Sequence, residues 1–330
     1  MRKSCIIFGS IILIILSLSF FNYNYPFITP KVGKWSVGFQ KVGHIFPSVI
    51  VDSKQLIPYT RLDSILKSED NYIADPFYIQ EAGIYYLFVE LKGRENADIA
   101  LFTSNNGQEY SYQGIVLNES FHLSYPQVFK YKKEYYMLPE TNETNQVLLY
   151  KAQNFPYNWI IEDTLIKNTR LKDPTILLSK DRNLIIGVDD KLTQFIYEAD
   201  SLRGKWNEVE NYKQGWGNET RPAGRFFRLD ENWYLPVQDR SLGYGSGVSI
   251  YKLQLKDRLE LVKEKSRYLE AQKKIKWFNR GMHHLDIQAD GKSYYMVYDG
   301  DHNINDEEYF QMKRTFKFNL IDIYNYFSKN

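Results

Sequence analysis

A two-strand pattern recurs five times along the chain, and it constrains the fold more than any other feature. The first four copies contain Pro76, Pro126, Pro174 and Pro222, which lie 50, 48 and 48 residues apart. The fifth copy lacks the proline and follows about 60 residues later. Repeats of roughly 40–50 residues built from short strands are typical of β-propeller blades. Five copies therefore predict five blades.

The predicted fold class is all-β: a five-bladed β-propeller with four-stranded antiparallel blades, preceded by one N-terminal transmembrane helix. Third strands are predicted at 101–104, 148–152 and 195–199. Lys34–Phe39 alternates like a strand and is expected to close the ring in the last blade, because an unpaired blade edge is a liability. Thr315–Leu320 also alternates and is predicted to be a strand of blade five. The predicted domains are 1–30, an anchor and linker, and 31–330, the propeller.

Charge and cysteine content narrow the function classes. The formal net charge is only +2, and basic residues are scattered among acids, so we expect no nucleic-acid partner. The single cysteine, Cys5, precedes the globular part, which therefore cannot form an internal disulfide. No cofactor is predicted, and no residue is assigned to a metal.

The N-terminal segment indicates export. Arg2 and Lys3 precede an uncharged run from Cys5 to Phe21, 17 residues long, which is near the lower limit for a membrane span. An uncleaved anchor is favoured over a signal peptide, because Ser17-Leu18-Ser19 is a poor cleavage site. We expect a single-pass membrane protein with the propeller outside the cytoplasm; the alternative is secretion after cleavage.

Polar residues mark both the start of the first strand and the end of the second strand in each repeat. These two places lie on the same rim of an antiparallel hairpin, so the side chains should converge on one channel mouth. The candidate catalytic residues are Asp75, Glu140 and Asp173. The candidate substrate-binding residues are Glu90, His122, Tyr125, Arg221, Gln238, Asp239, His284 and Asp286.

Structural interpretations of the same residues stay open. An Asp before Pro can simply accept backbone hydrogen bonds, although several acids at one mouth repel unless something binds them. The histidines could hold a channel ion, hydrogen-bond a sugar or pack as neutral rings. Arg221 suits a carboxylate or phosphate ligand, or an ion pair with Asp173 or Glu219.

Several segments carry a resemblance to a known family. They are Ala74–Phe77, His122–Pro126, Leu138–Thr141, Asp173–Thr175, Arg221–Arg225 and Gln238-Asp239. In order, from about Trp35 to Asp299, the chain resembles the N-terminal propeller domain of glucosamine inositolphosphorylceramide transferases, whose bacterial relatives can stand alone. That domain is in turn similar to the five-bladed propellers of arabinanases and β-xylosidases. The resemblance implies a carbohydrate setting.

Arabinanase-like enzymes use three carboxylates: a base, an orienting acid and a proton donor. By resemblance Asp75 matches the base, but Ser124-Tyr125 stand where those enzymes have a second Asp. Two functions are therefore expected. The first is a glycan-binding propeller in surface-polysaccharide or glycolipid assembly, held at the membrane. Its expected partners are a glycan or glycolipid and polysaccharide-assembly proteins. The alternative is an inverting glycoside hydrolase or a related glycosyl-transferring enzyme that uses the mouth carboxylates.

Overall fold

The protein is a five-bladed β-propeller with four-stranded antiparallel blades, as predicted. The computed structural model describes residues 2–24, 28–30, 33–46, 51–63, 71–93, 96–255, 257–302, 308–310 and 312–328. Within these residues the strands form five four-stranded sheets and one two-stranded ribbon.

Blades one to four each use four strands that are consecutive in the chain. Blade one contains β4 (Tyr72–Glu81), β5 (Ile84–Lys92), β6 (Ala97–Ser104) and β7 (Ser111–Leu117). Blade two contains β8 (Ser124–Tyr131), β9 (Glu134–Glu140), β10 (Gln146–Asn154) and β11 (Tyr157–Lys167). Blade three contains β12 (Lys172–Leu178), β13 (Asn183–Val188), β14 (Gln194–Ala199) and β15 (Asn207–Glu208). Blade four contains β16 (Phe227–Leu229), β17 (Asn232–Asp239), β18 (Gly247–Leu255) and β19 (Leu259–Glu270).

Blade five closes the ring by combining both ends of the propeller. Its inner strands β20 (Leu285–Asp290) and β21 (Ser293–Asp301) are followed outward by β2 (Trp35–Val42) and β3 (Leu56–Ile57). The register of β2 on β21 runs from Trp35 opposite Asp301 to Val42 opposite Tyr294. The closing strand predicted at Lys34–Phe39 is therefore confirmed, and it pairs an edge that would otherwise be open.

The C-terminal prediction is wrong. Residues 315–320 are helical and belong to α2 (Met312–Ser328). The apolar residues Phe316, Phe318 and Leu320 alternate like a strand, but the buried positions 315, 318, 319 and 321 follow helical spacing. A short ribbon of β1 (Ile28–Pro30) and β22 (Glu308–Phe310) precedes this helix.

The N-terminal helix is present as α1 (Arg2–Asn24), but its predicted membrane span is not supported. Across the described ranges, no helix has both the length and the apolar character that crossing a bilayer requires. The uncharged run that suggested a span is only 17 residues long, near the lower limit. The predicted domain boundary falls at residue 31, which lies outside the described residues.

Hydrogen bonds across the central channel hold opposite blades together. The hydroxyl of buried Tyr125 in blade two donates to the Gly224 carbonyl (3.0 Å) and accepts from the Gly224 amide (2.6 Å). It also lies 2.8 Å from Thr175 Oγ1 of blade three. Gly224 has φ +149°, and a Cβ added there would lie 1.9 Å from the Leu285 carbonyl oxygen. Only glycine permits this approach of blades four and five.

We therefore expect Gly224→Ala to destabilise the propeller by about 3 kcal/mol or more, because the new Cβ meets backbone rather than a movable side chain. Urea unfolding followed by tryptophan fluorescence measures the change. Gly93→Ala is the matched control, since nothing lies within 4 Å of its added Cβ. Equal stability of the two variants would contradict the close approach.

Candidate functional site

A repeated backbone distortion turns three side chains toward the central channel. In blades one to three the residue before the proline has a positive φ: +48° at Asp75, +51° at Tyr125 and +47° at Asp173. The strand pairing skips a step at each of these positions, as in a β-bulge. A bulge redirects a side chain away from the regular pleat. The first three copies of the sequence repeat thus share a β-bulge at the same position.

Carboxylates from the ends of second strands anchor two of these bulges. The Asp75 amide donates to Asp299 Oδ2 (3.0 Å), which joins blade one to blade five. The Asp173 amide donates to Glu140 Oε2 (2.8 Å), which joins blade three to blade two. Backbone anchoring is therefore a role of Asp299 and Glu140. The carboxylates of Asp75 and Asp173 contact side chains instead.

Asp75 faces two buried histidines. His284 Nδ1 lies 3.5 Å and His283 Nε2 lies 3.8 Å from Asp75 Oδ1. His283 is held on its other side by Asp299 (2.8 Å from Nδ1) and stacks on Trp35 at 3.9 Å between ring centroids. Burial alone would raise the pKa of Asp75, but His284, His283 and the positive charge of Arg221 hold that pKa below its ordinary value. Asp75 is therefore ionised at neutral pH.

Arg221 organises the opposite side of the mouth. Its Nε and Nη2 bind Asp173 in a bidentate pair (2.5 and 2.8 Å), and Nη2 lies 3.4 Å from Glu140 Oε2. Gln238 Nε2 donates to the same Asp173 carboxylate (2.9 Å). Burial opposes the charge of Arg221, but Asp173 and Glu140 raise its pKa well above the ordinary value. Of the alternatives left open for Arg221, the structure shows the ion pair with Asp173.

Two further carboxyls at the mouth resist ionisation. Burial raises the pKa of Glu140 to about 8, with Arg221 opposing and Asp173 adding to the shift. Burial, followed by the charge of Asp75, raises the pKa of Glu90 well above its ordinary value. Glu90 accepts a hydrogen bond from Tyr72 (2.9 Å) and lies 3.4 Å from His122 Nε2. Carboxyl groups with widely separated pKa values in one site are typical of acid–base pairs.

The histidine predictions separate into two environments. His122 is half-buried beside Glu90, and burial lowers its pKa. His284 is fully buried, with its ring edge-on to Phe77 and Tyr125 (4.6 and 5.2 Å between centroids). His283 belongs to a third group of contacts: one ligand atom each of Asp75, His283 and Asp299 lies within 4.8 Å of the other two, which is close enough to share a metal ion.

Two predicted residues contact other partners. Asp286 accepts hydrogen bonds from Arg225 and from the Tyr78 amide (3.1 Å), so it links blade five to its neighbours. Asp239 accepts from the Ser241 amide (2.9 Å) and lies 3.6 Å from Arg267 of the outer strand. Both are buried, and these contacts are with residues outside the cluster. The mouth cluster is therefore Asp75, Glu90, Glu140, Asp173, Arg221 and Gln238, with His122 and His284 beside it.

Sequence reasoning missed the turn between β17 and β18. Its Tyr244 packs edge-on to Trp35 and His283 (6.1 and 5.4 Å), and Arg240 lies over the Tyr244 ring at 5.4 Å. Burial and the nearby charge of Arg221 lower the pKa of Arg240 to about 10. The turn lies outside the repeated strands, so the repeat gave no signal. The pair Gly243 and Gly245 was the available signal of a close approach.

The matching family model describes the glucosamine inositolphosphorylceramide transferase 1 N-terminal domain, and it covers residues 61–301. Glucosamine inositolphosphorylceramide transferase 1 from Oryza sativa subsp. japonica is 32% identical over 249 residues, and that from Arabidopsis thaliana is 34% identical over 250. The chain belongs to this family. The alignments cover 70% of the chain but 33% and 32% of those two relatives, so it spans about a third of their length.

Solved structures confirm the propeller of this family member. A thermostable family-43 glycoside hydrolase superposes with a TM-score of 0.51 at 14% identity, covering 72% of this chain and 92% of the other. The RS223 β-xylosidase gives a TM-score of 0.50 at 11% identity, covering 73% and 95%. At such identities the similarity establishes the fold. The residues of the mouth are therefore interpreted from their own geometry.

The raised pKa of Glu140 predicts a pH dependence of stability. A buried acid whose pKa is raised on folding contributes its full stability below its unfolded pKa, near 4.5, and loses it as the pH rises through about 8. We expect Glu140→Gln to remove this loss. The free energy of unfolding of the variant should therefore rise relative to that of wild type between pH 5 and pH 8.

Urea unfolding at several pH values measures the difference in free energy of unfolding between the variant and wild type. The contributions of titrating groups that both proteins share cancel in this difference. The control is Glu134→Gln, because the Glu134 side chain is exposed at the other end of the same strand. A difference between Glu140→Gln and wild type that stays constant with pH would contradict a neutral Glu140.

Proposed function

We propose that the propeller binds the sugar part of a glycan or glycolipid at the channel mouth. The observation that carries the proposal is the ionised Asp75 set beside Glu90 and Glu140, two carboxyls whose pKa values burial raises, with Arg221 opposite. Sugar hydroxyls each donate and accept hydrogen bonds. A mouth that offers a carboxylate acceptor and carboxyl donors is matched to such groups.

The family name supports a glycolipid as the ligand class. That name joins glucosamine to inositolphosphorylceramide, a sugar and a lipid with a phosphorylated head group. We propose the propeller itself as a recognition module for such a ligand. We place it outside the cytoplasm in surface-polysaccharide or glycolipid assembly, alongside assembly proteins; secretion after cleavage is the alternative.

A second candidate function is inverting glycoside hydrolysis or a related glycosyl transfer. The same separation of pKa values favours it, because Asp75 is ionised as a base must be and Glu140 is protonated as an acid must be. Glu140 is also held by the Asp173 amide and by Asn142 (2.8 Å each), which ties it to the scaffold. That anchoring, with Tyr125 rather than a carboxylate in blade two, makes binding the preferred function.

Asp75→Asn separates the two functions. The substitution keeps the side-chain shape and removes the charge, so binding alone predicts weaker affinity with no rate to lose. Hydrolysis predicts a rate loss of ~10²–10⁴ at nearly unchanged binding. Glycan-array screening followed by calorimetry and a hydrolysis assay on the hits distinguishes these results.

Asp190→Asn is the matched control, because Asp190 lies at the same rim but is exposed and pairs with Lys172 (2.8 Å). Wild-type affinity in Asp75→Asn, or an equal loss in both variants, would contradict a site at the mouth. A lower melting temperature with unchanged affinity would assign Asp75 to the scaffold.

A further inference from the structure

We propose that the propeller face bearing the mouth rests on an anionic membrane surface, with the exposed side of α2 seated among the lipid head groups. The inference rests on the proposed function, since it names a membrane as the source of the glycan. The occupant of this face is thus a lipid surface, and the mouth receives sugars that project from it.

Helix α2 presents two different faces. Phe318 and Ile321 are buried against Val188, Leu192 and Tyr244 of the propeller. The opposite side exposes large apolar residues at intervals of four, four, four and three, namely Met312, Phe316, Leu320, Tyr324 and Phe327. This spacing places them on one stripe of the helix. The docked face thus fixes the direction in which the apolar stripe points.

The stripe lies on the same face of the propeller as the mouth. Val188 ends β13, and Tyr244 belongs to the turn after β17, where the second strands end at the rim. Loops at this rim expose Trp216 and Leu242, and the Trp216 ring contacts Tyr324 at 5.9 Å between centroids. The exposed apolar surface therefore extends from α2 onto loops beside the mouth.

Basic residues beside the stripe, and an adjoining helix that also exposes apolar residues, favour a lipid surface as the occupant of this face. Lys313 and Lys317 are exposed at the edge of the stripe, as basic residues flank the apolar side of interfacial helices that bind anionic lipids. Helix α1 joins α2 through the Asn22–Asn319 hydrogen bond (2.9 Å) and also exposes apolar residues. In the described chain, the other exposed large apolar side chains lie on the outer strands β7 and β11. Exposed apolar residues are thus concentrated on α1, α2 and the loops beside the mouth, as expected for a surface that rests on a bilayer.

Site-specific fluorescence tests the orientation. In full-length protein carrying Cys5→Ser, an environment-sensitive label is attached through Leu320→Cys, Leu242→Cys or, as control, Ile161→Cys on β11. Ile161 is as exposed as the test positions (50% against 40% and 46%). Vesicles contain phosphatidylcholine with brominated chains, with or without phosphatidylserine. We expect quenching at 320 and 242 on the anionic vesicles, and none at 161.

Double substitution of Lys313 and Lys317 by Ala should lower partitioning onto the anionic vesicles on the order of tenfold and leave neutral vesicles unaffected. Equal quenching at all three positions, or quenching at 161 alone, would overturn the orientation. A change in the fluorescence of the label at position 320 that depends on protein concentration, in the absence of vesicles, would also overturn the proposal. It would show that a second copy of the chain covers this face.

The test of the membrane orientation and the test of the proposed function can fail independently of each other. Binding of a soluble glycan requires no vesicles, so its failure in wild type would overturn the mouth as a sugar site while the quenching pattern stood. A failed quenching pattern with intact binding of soluble glycan would overturn only the membrane orientation.

Discussion

The hydrogen bonds from the bulged first strands to carboxylates of neighbouring blades are the interaction on which the mouth depends. A positive φ at Asp75 or Asp173 turns its amide out of its own sheet, and an unpaired buried amide would be costly. Asp299 and Glu140 satisfy these amides across the blade boundaries. The carboxylates of Asp75 and Asp173 are thereby released from the backbone and directed to the histidines and to Arg221.

Charge balance then decides what the mouth can do. Buried acids this close cannot all ionise, so the environment assigns them different protonation states. Asp75 keeps its charge through the histidines, whereas burial raises the pKa of Glu90 above its ordinary value and raises that of Glu140 to about 8. The mouth consequently offers both acceptors and donors without a large net charge. Such a surface suits neutral sugars, and it also contains the separated acid and base that a glycosidase would need.

The sequence predicted the repeat and the convergence of its polar residues on one mouth. It did not predict which partner each of these residues binds. The five copies of the two-strand repeat predicted five blades, and polar residues at strand ends predicted that Asp75, Glu140, Asp173 and Arg221 approach one mouth. Asp286 could not be distinguished from them, because its partner Arg225 belongs to another blade and no local pattern links the two. The strand predicted at 315–320 failed because a short alternating run also fits helical spacing. Tyr244 was missed because it lies in a turn outside the repeat.

The central claim is that the mouth holds the sugar. A crystal structure of the protein with a glycan identified by array screening tests it most directly. The claim predicts a sugar ring at the mouth, with hydroxyl groups within hydrogen-bonding distance of Asp75 and of Glu90 or Glu140. A glycan bound on the outer strands of the blades, with the mouth residues untouched and their mutual contacts unchanged, would contradict it.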